Sequence, residues 1–373
     1  MPEDFNNFNP SRLIVARKRR GLSQTALAHL ISVDSRTLRS YEKDGDVRHQ
    51  VVEKIAAVLR FPPRFFYGGD LEVIDDGQVS FRALSKMSAA HRDMAKSQGS
   101  LAVALSDWIE EAYDLPKCSI PDLREYASSP EEAATILRQT WGIGEASVGN
   151  VVHLLELHGV RVFSLAVDSM NVDAFSMWKG SNIPIVMLNT LKSAERSRFD
   201  AAHELGHLCL HQHGSKNLNP SIEAQADSFA SAFLMPRNSV LANAPAFPTI
   251  DRLISLKSRW GVSLAALVYR LRKLNIISEW QYKSLCVQIG KMGYRRAEPQ
   301  SAERETSGVL QAILRDFHIN KSGSRQKIAE ALLLPLDEVD ALLFGLTYGV
   351  THGKRIGEPK GKAELQLVSS IAP

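Results

Sequence analysis

Two histidines and a glutamate stand close together in the sequence His203-Glu204-Leu205-Gly206-His207. Side chains at positions i and i+4 lie one above the other on the same face of an α-helix. Both imidazoles can therefore reach a single Zn2+ ion, with nitrogen–metal distances of about 2.1 Å. Glu204 projects beside such an ion, where it can accept a proton from an attacking water. This spacing predicts a zinc-dependent hydrolase.

A catalytic zinc ion needs a third protein ligand, and the sequence offers His211, His213 and Glu223. His211 lies about 12 Å from His203 along the helix axis, too far for one ion on a straight helix to bridge. Glu223 opens the next apolar helix, and a helix that returns across the first would bring its carboxylate to the metal. We therefore favour Glu223 as the ligand. Asp227 is expected to orient a ligand histidine through a hydrogen bond, and His211 is either such a group or a core residue.

The segments around these residues resemble the ImmA/IrrE family of zinc metallopeptidases. The similarity is clearest in RFDAAHELGHLCLH (198–211) and IEAQADSFASAFLMP (222–236), and it extends over about residues 130–295. The resemblance implies a small α+β zincin-like fold, with the helix of the metal ligands behind a short sheet. It also implies a site of four residues, in which zinc is held by His203, His207 and Glu223 and the general base is Glu204.

A second pattern lies near the N-terminus, in residues 12–60. Ser23 can cap a first short helix, and a tight turn at Ser32 leads to Asp34, which can cap a second helix over about 35–43. Two short helices joined by such a turn are typical of a helix-turn-helix. The second helix of this motif enters the major groove of DNA.

This segment resembles the Xre family of lambda-repressor-like domains in its GLSQxxLA and TLxxYE motifs and in the helix over 49–59. The turn usually carries glycine where this chain has Ser32, and a left-handed backbone costs serine about 1 kcal/mol more than glycine. The resemblance implies that DNA is bound through residues 11–60, by the side chains of Gln24, Ser35, Arg36, Arg39 and Ser40. Arg36 is expected to read guanine edges, and Arg17, Lys18 or Arg19 to hold phosphates.

The hydrophobic periodicity of the sequence as a whole predicts a multidomain, mainly α protein. We expect four parts: an all-α helix-turn-helix domain at 1–67, a linker with a long helix at 68–130, an α+β minimal zincin-like peptidase domain at 131–248, and a helical C-terminal region at 249–373. The alternating segments 159–167, 173–178 and 185–189 predict the strands of the small sheet. Helices are expected over 85–113, with Ser85 as its cap, over 194–211 and over 221–235. Two more amphipathic helices are expected around 309–319 and 328–344.

Composition places the chain among ordinary globular proteins, with 44% hydrophobic and 23% charged residues. Residues 1–70 hold 12 Lys/Arg against 8 Asp/Glu, so the net charge of +4 can be assigned to the segment that resembles a DNA-binding domain. The three cysteines are far apart and form no CxxC pair, which favours a reducing compartment. No apolar run is long enough to span a membrane, and the N-terminus lacks the features of a signal peptide. We therefore expect a cytoplasmic protein with no membrane partner.

The sequence is compatible with two functions. In the first, the chain is a DNA-binding transcriptional regulator whose zinc endopeptidase domain cleaves a repressor or antitoxin-like protein, as in family members that act as anti-repressors. In the second, it is a transcriptional regulator or antitoxin whose peptidase-like domain senses metal or binds a partner without turnover. A homodimer is a further expectation, because Xre-type domains commonly bind palindromic DNA.

Overall fold

The computed structural model describes residues 7–74, 79, 88–165, 174–180, 182–211, 220–319 and 324–348. Within these ranges the protein is a multidomain, mainly α structure with one small sheet. The predicted fold class is therefore confirmed. The basic C-terminal segment from residue 349 onward lies outside the described residues.

The N-terminal helices follow the caps that the sequence supplies. Ser23 Oγ accepts a hydrogen bond from the backbone N–H of Ala26, and Asp34 Oδ1 accepts one from that of Thr37. Ser32 has a φ of 60°, so the turn does place this serine in the left-handed region. The four helices are α1 (Pro10–Arg19), α2 (Gln24–Leu30), α3 (Ser35–Asp44) and α4 (His49–Leu59).

A long helix, α5 (Ala89–Ala112), follows the N-terminal domain. Its cap is Ser88, whose Oγ accepts from the backbone N–H of His91, so the expected cap at Ser85 is wrong. Ser85 itself lies outside the described residues. The first turns of α5 pack on α1, and Asp93 forms an ion pair with Lys18 at 3.4 Å. Further along, α5 lies against the sheet.

The sheet has three strands in the order β1-β3-β2 within the described residues. The strand β1 pairs with β3 in parallel, and β2 pairs with β3 in antiparallel orientation. The three strands are β1 (Arg161–Ser164), β2 (Ala174–Lys179) and β3 (Ile183–Leu188). All three strands were predicted, although residues 166–167 and 173 of the predicted segments lie outside the described residues.

The strand β2 is enclosed by two helices. On one face, Gly99 of α5 leaves so little room that an added Cβ would lie 3.3 Å from the ring of Phe175 and 3.6 Å from the methyl group of Met177. On the other face lies the helix α8 (Ala194–Leu210), which packs on both β2 and β3. Two shorter helices, α6 (Pro130–Thr140) and α7 (Val151–Leu157), precede the sheet and contact α8.

The helix α9 (Pro220–Leu234) crosses α8 at very short range. A Cβ at Gly206 would lie 3.0 Å from the ring of Phe229 and 3.3 Å from the Cα of Ala226. The absence of a side chain at Gly206 therefore allows the two helices to approach, and their interface is the most extensive contact between elements. The predicted helices over 194–211 and 221–235 are confirmed by α8 and α9.

The remainder of the described chain is helical, as expected, but one predicted helix is divided. Residues 332–335 separate two helices where the sequence had indicated one, because Pro335 cannot continue a helix and instead caps the next one. The helices are α10 (Arg237–Asn243), α11 (Ile250–Lys257), α12 (Leu264–Lys273), α13 (Glu279–Lys291), α14 (Gly308–Ile319), α15 (Ser324–Ala331) and α16 (Leu336–Leu343).

A non-helical segment, residues 298–307, connects the C-terminal helices to α7 and α8. The carboxylate of Glu195 in α8 accepts from the backbone N–H of Ala302 at 2.7 Å, and Arg198 in α8 forms an ion pair with Glu305. The carboxylate of Glu156 in α7 accepts from the backbone N–H of Gly308 at 2.8 Å, at the start of α14. Burial raises the pKa of Glu156 to about 7.

The C-terminal helices also contact the N-terminal domain. Glu338 in the first turn of α16 accepts hydrogen bonds from Arg19 Nε at 2.7 Å and from an Arg20 terminal nitrogen at 2.6 Å. The carboxylate is 2% exposed, so this is a buried cluster of one anion and two cations. The region after residue 298 therefore joins α1 to the helix that carries the HELGH sequence.

Replacing Ser32 by glycine should stabilise the N-terminal domain. The residue is exposed and has a left-handed backbone, so Ser32→Gly should raise the free energy of local unfolding of α2 and α3 by about 1 kcal/mol. Hydrogen–deuterium exchange of the amide groups in these two helices measures this quantity.

The matched control is Ser255→Gly, the same exchange at an exposed position inside α11. There glycine should lower the local unfolding free energy by about 0.5 kcal/mol, because it is a poorer helix former than serine. Equal effects at the two positions would contradict the role of the left-handed backbone.

Candidate functional site

Three potential ligand atoms converge where α9 crosses α8. The Nε2 atoms of His203 and His207 are 3.0 Å apart. The two carboxylate oxygens of Glu223 lie 3.4 Å from these nitrogens, one oxygen facing each ring. Among the described residues, these three form the group of His, Cys, Asp and Glu side chains that can hold a metal ion.

The spacing of the three groups suits a tetrahedral ion. A zinc centre with bonds of about 2.0–2.1 Å places its ligand atoms about 3.3 Å from one another. In addition, Glu223 Oε2 is buried and makes no hydrogen bond, although a buried carboxylate oxygen ordinarily has a donor. Two facing imidazole nitrogens and an unsatisfied carboxylate oxygen are the donor set of a divalent metal, and the residues fit Zn2+.

The far side of each imidazole is held by a neighbour. His203 Nδ1 is 2.9 Å from Asp227 Oδ1, and His207 Nδ1 is 3.0 Å from His211 Nδ1. Such contacts fix the ring orientation and the tautomer of a metal-binding histidine. The structure thus places Asp227, the expected orienting residue, against His203, and it places His211, for which an orienting or a core role was expected, against His207. His213, the other histidine weighed as a ligand, lies outside the described residues.

Sequence reasoning missed Gln225. Its Oε1 lies 2.9 Å from His211 Nε2, so a chain of contacts runs from Gln225 through His211 to His207. A glutamine two residues after Glu223 carries no recognisable sequence signal. Only the close crossing of α8 and α9 turns this side chain toward His211.

Burial and the contacts within the cluster act in opposition on its pKa values, and the balance differs between the three groups. Burial lowers the pKa of His207 to about 4. Burial also opposes the charged form of His203, yet its contacts with the carboxylates of Asp227 and Glu223 raise its pKa to about 9. For Glu223 burial again acts against the charge, but the contacts with the two histidines prevail and lower the pKa of its carboxyl. The protons shared within this cluster are those that a bound metal displaces.

Glu204 lies beside the ligand atoms and points toward the sheet. Its Oε2 accepts a hydrogen bond of 2.8 Å from Ser176 Oγ of β2, and both side chains are buried. Burial raises the pKa of Glu204 to about 7, against the opposing effects of the His203 charge and the Ser176 hydrogen bond. Sequence reasoning missed Ser176, because a serine inside a short apolar strand carries no recognisable signal.

Two neighbouring residues of α12 serve packing and the surface. Arg270 is buried, donates to the backbone carbonyl of Met235 just after α9, and pairs with Glu131. Tyr269 is 40% exposed and packs edge-on against Tyr282.

The second helix of the helix-turn-helix presents polar side chains to the surface. Arg36, Arg39 and Ser40 of α3 are exposed, and Ser35 at its start is half-buried. Gln24 is also half-buried, and its amide donates to Glu42 Oε2 at 2.5 Å. Four of the five predicted DNA-contacting residues thus lie together on α3, whereas Gln24 is tied to Glu42.

The expected phosphate contacts from Arg17 and Arg19 are wrong. Both side chains are buried, Arg17 in an ion pair with Glu42 at 2.5 Å and Arg19 in the pair with Glu338. A buried, paired guanidinium is not available to a DNA backbone. Lys18 is paired with Asp93 of α5.

Fold and site together define a class of protein. An N-terminal helix-turn-helix is followed by a metallopeptidase-like α+β fold in which two helical histidines and a glutamate converge. Comparison of the sequence with known protein families finds a match for each of these two parts. Residues 13–66 match the helix-turn-helix family, and residues 155–272 match the IrrE N-terminal-like domain family of peptidases, so the chain carries one domain of each.

No curated protein matches the chain significantly. In the described part of the chain, no helix is both long and apolar enough to cross a membrane. The two family matches make the chain a DNA-binding regulator with a peptidase-family domain. They agree with the resemblances to the ImmA/IrrE and Xre families that the sequence itself indicated.

Metal binding should depend on Glu223 more than on the residues behind the histidines. We expect one Zn2+ per chain in the wild type and a loss of affinity in Glu223→Gln of more than about 100-fold. Asp227→Asn should lose about 10- to 100-fold, the usual effect of removing an orienting partner. Competition with a chromogenic chelator measures both.

The control is Glu303→Gln, the same exchange at an exposed glutamate outside the cluster. It should bind zinc as the wild type does. Unchanged zinc affinity in Glu223→Gln would remove this carboxylate from the site.

Proposed function

We propose that this protein is a DNA-binding transcriptional regulator that is also an active zinc endopeptidase, with a repressor or antitoxin-like protein as its substrate. The observation that carries the proposal is the convergence of His203, His207 and Glu223 with the carboxylate of Glu204 held beside them. Structural zinc sites use all four positions for protein ligands, whereas a catalytic site keeps one open. Three ligand side chains next to a buried carboxylate favour the catalytic type.

The chain's residues have separate tasks in this proposal. His203, His207 and Glu223 hold the ion, and Asp227 and His211 hold the two imidazoles. Bound zinc polarises a peptide carbonyl and lowers the pKa of water toward neutrality.

Glu204 supplies the proton transfers of peptide hydrolysis. Its carboxylate takes a proton from the attacking water as the oxygen bonds to the carbonyl carbon. It then gives this proton to the leaving nitrogen as the C–N bond breaks. A carboxylate held within reach of the attacking water and the leaving nitrogen can perform both transfers, first as general base and then as general acid.

The DNA-binding part supports the choice of substrate. A helix-turn-helix holds the chain at a DNA site, where repressors and antitoxins are concentrated, so the peptidase centre meets such proteins without a separate recognition step. Ser35, Arg36, Arg39 and Ser40 are the proposed DNA contacts on α3, with Gln24 in reach only if it leaves Glu42. We also propose a homodimer, because paired half-sites match a twofold symmetric protein.

We also propose that the chain consists of four parts. Residues 1–67 would be the DNA-binding domain, 68–130 the linker, 131–248 the peptidase domain and 249–373 the C-terminal region. The packing of α5 on both α1 and the sheet suits the role of a linker with its own contacts to each neighbour.

One observation favours a second function, in which metal occupancy regulates DNA binding without turnover. The helix α8, which carries both histidines, is bound to residues 298–307 through Glu195 and Arg198. The helices that follow reach α1 through Glu338. A regulator that senses metal needs such a connection between its metal centre and its DNA-binding domain.

Removing the proposed general base should separate the two functions. Glu204→Gln keeps the shape of the side chain but cannot accept the proton, so cleavage of any repressor or antitoxin-like protein encoded beside the gene should fall at least about 100-fold. Zinc binding should persist. Gel electrophoresis of the cleavage products, with zinc content by atomic absorption, measures both.

Glu303→Gln again serves as the matched control and should cleave normally. Equal cleavage by Glu204→Gln and the wild type would contradict the assigned role. If the wild type cleaves no neighbouring repressor or antitoxin yet binds DNA differently with and without zinc, the sensing function is supported instead.

DNA recognition should depend on Arg36. Arg36→Ala removes an exposed guanidinium from the start of α3, and a bidentate arginine–guanine contact contributes about 1–3 kcal/mol of discrimination. We expect the affinity for DNA upstream of the gene to fall at least about 5-fold, with less difference from random DNA. An electrophoretic mobility shift at fixed salt concentration measures this.

Arg259→Ala, at an exposed arginine after α11, is the control and should bind DNA as the wild type does. Wild-type affinity and specificity in Arg36→Ala would remove this residue from the interface.

A further inference from the structure

We infer that Ser176 is a positioning residue for the general base, a role that rests on the proposed peptidase function. Its hydroxyl donates a 2.8 Å hydrogen bond to Glu204 Oε2. Both residues are almost fully buried, at 0% and 1% exposure. Because solvent is excluded, the Ser176 hydroxyl replaces the water that would otherwise solvate this oxygen.

The hydroxyl is held in place by its strand. In β2, Ser176 is paired with Val186 of β3, and successive side chains of a strand point to opposite faces of the sheet. Phe175 and Met177 lie against Gly99 of α5, so Ser176 faces α8 and Glu204. Within the described residues, the other edge of β2 also carries an antiparallel bridge between Met177 and Val79.

The hydrogen bond from Ser176 restricts rotation of the Glu204 carboxylate. The last torsion of a glutamate side chain is broad, so an unrestrained carboxylate rotates readily about it. A donor fixed on Oε2 sets the plane of the group and leaves the other oxygen to exchange the proton. Catalytic groups must be held to within a fraction of an ångström, because a displacement of about 1 Å costs roughly 100-fold in rate.

A purely structural serine is available for comparison on the neighbouring strand. Ser164 of β1 is also fully buried, and its Oγ lies 2.8 Å from Thr190 Oγ1. Ser164→Ala therefore removes a buried hydroxyl of the same kind from the same sheet without touching Glu204. Both alanine variants should lower stability by a similar small amount, because each loses one buried hydrogen bond.

The experiment measures kcat and KM for cleavage of a repressor or antitoxin-like protein that the wild type cleaves, together with zinc affinity and the thermal unfolding midpoint. For Ser176→Ala we expect kcat to fall about 10- to 100-fold, with KM and zinc affinity within about 2-fold of the wild type. Ser164→Ala should keep the wild-type kcat. Ser176→Thr, which keeps the hydroxyl and suits a strand, should recover most of the rate.

A double variant tests the route of the effect. If Ser176 acts only through the general base, Ser176→Ala combined with Glu204→Gln should be no slower than Glu204→Gln alone. This comparison also holds if threonine proves too large for the buried position.

The outcomes are distinct. If the wild type cleaves no repressor or antitoxin-like protein, the peptidase proposal fails and the positioning role fails with it. If the wild type cleaves and Ser176→Ala is equally fast, or Ser164→Ala is equally impaired, only the role of Ser176 is wrong. A large loss of zinc affinity in Ser176→Ala would also overturn it, since the serine would then support the metal centre as a whole.

Discussion

The crossing of α8 and α9 decides whether this protein has a metal centre, because each helix carries only part of the ligand set. His203 and His207 are neighbours on α8 by helix geometry alone, but Glu223 reaches them only if α9 comes close. The glycine between the two histidines, Gly206, makes this approach sterically possible, since any side chain there would meet Phe229. The same approach delivers Asp227 to His203 and Gln225 to His211. One close helix contact thus brings together the proposed metal ligands and the side chains that contact them.

Local periodicity explains how much of this centre the sequence could predict. The two histidines are recognisable because they are four residues apart, and Glu204 because it directly follows the first of them. Glu223 was predicted from its place at the start of a helix expected to return across α8. Ser176 and Gln225 could not be found in this way. Each acts across a tertiary contact, Ser176 over 28 residues to Glu204 and Gln225 over 14 residues to His211. Neither contact has a sequence period, because it depends on how a strand and two helices pack.

In the N-terminal domain, too, local features were predictable from the sequence and tertiary contacts were not. Caps at Ser23 and Asp34 and the left-handed Ser32 are local features, so the helices and the turn were predicted correctly. The expectation of phosphate contacts failed for Arg17 and Arg19 because their partners are supplied by folding. For Arg19 the partner is 319 residues away, in the last described helix. Likewise, α5 is capped by Ser88 and not by Ser85, and Pro335 divides a region that was predicted as one helix. Both are local signals, but these two predictions followed the spacing of apolar residues instead.

The buried carboxylate of Glu338 makes the electrostatics of the DNA-binding domain a property of the whole polypeptide. A fragment that ends at residue 67 leaves Arg19 and Arg20 without the carboxylate that pairs with both of them in the intact chain and offsets one of their two charges. Uncompensated cations near a duplex displace condensed counterions, and each one steepens the dependence of DNA affinity on salt. Such a fragment would adhere to arbitrary DNA more tightly than the native protein does. Operator selectivity therefore has to be determined on a polypeptide that retains α16.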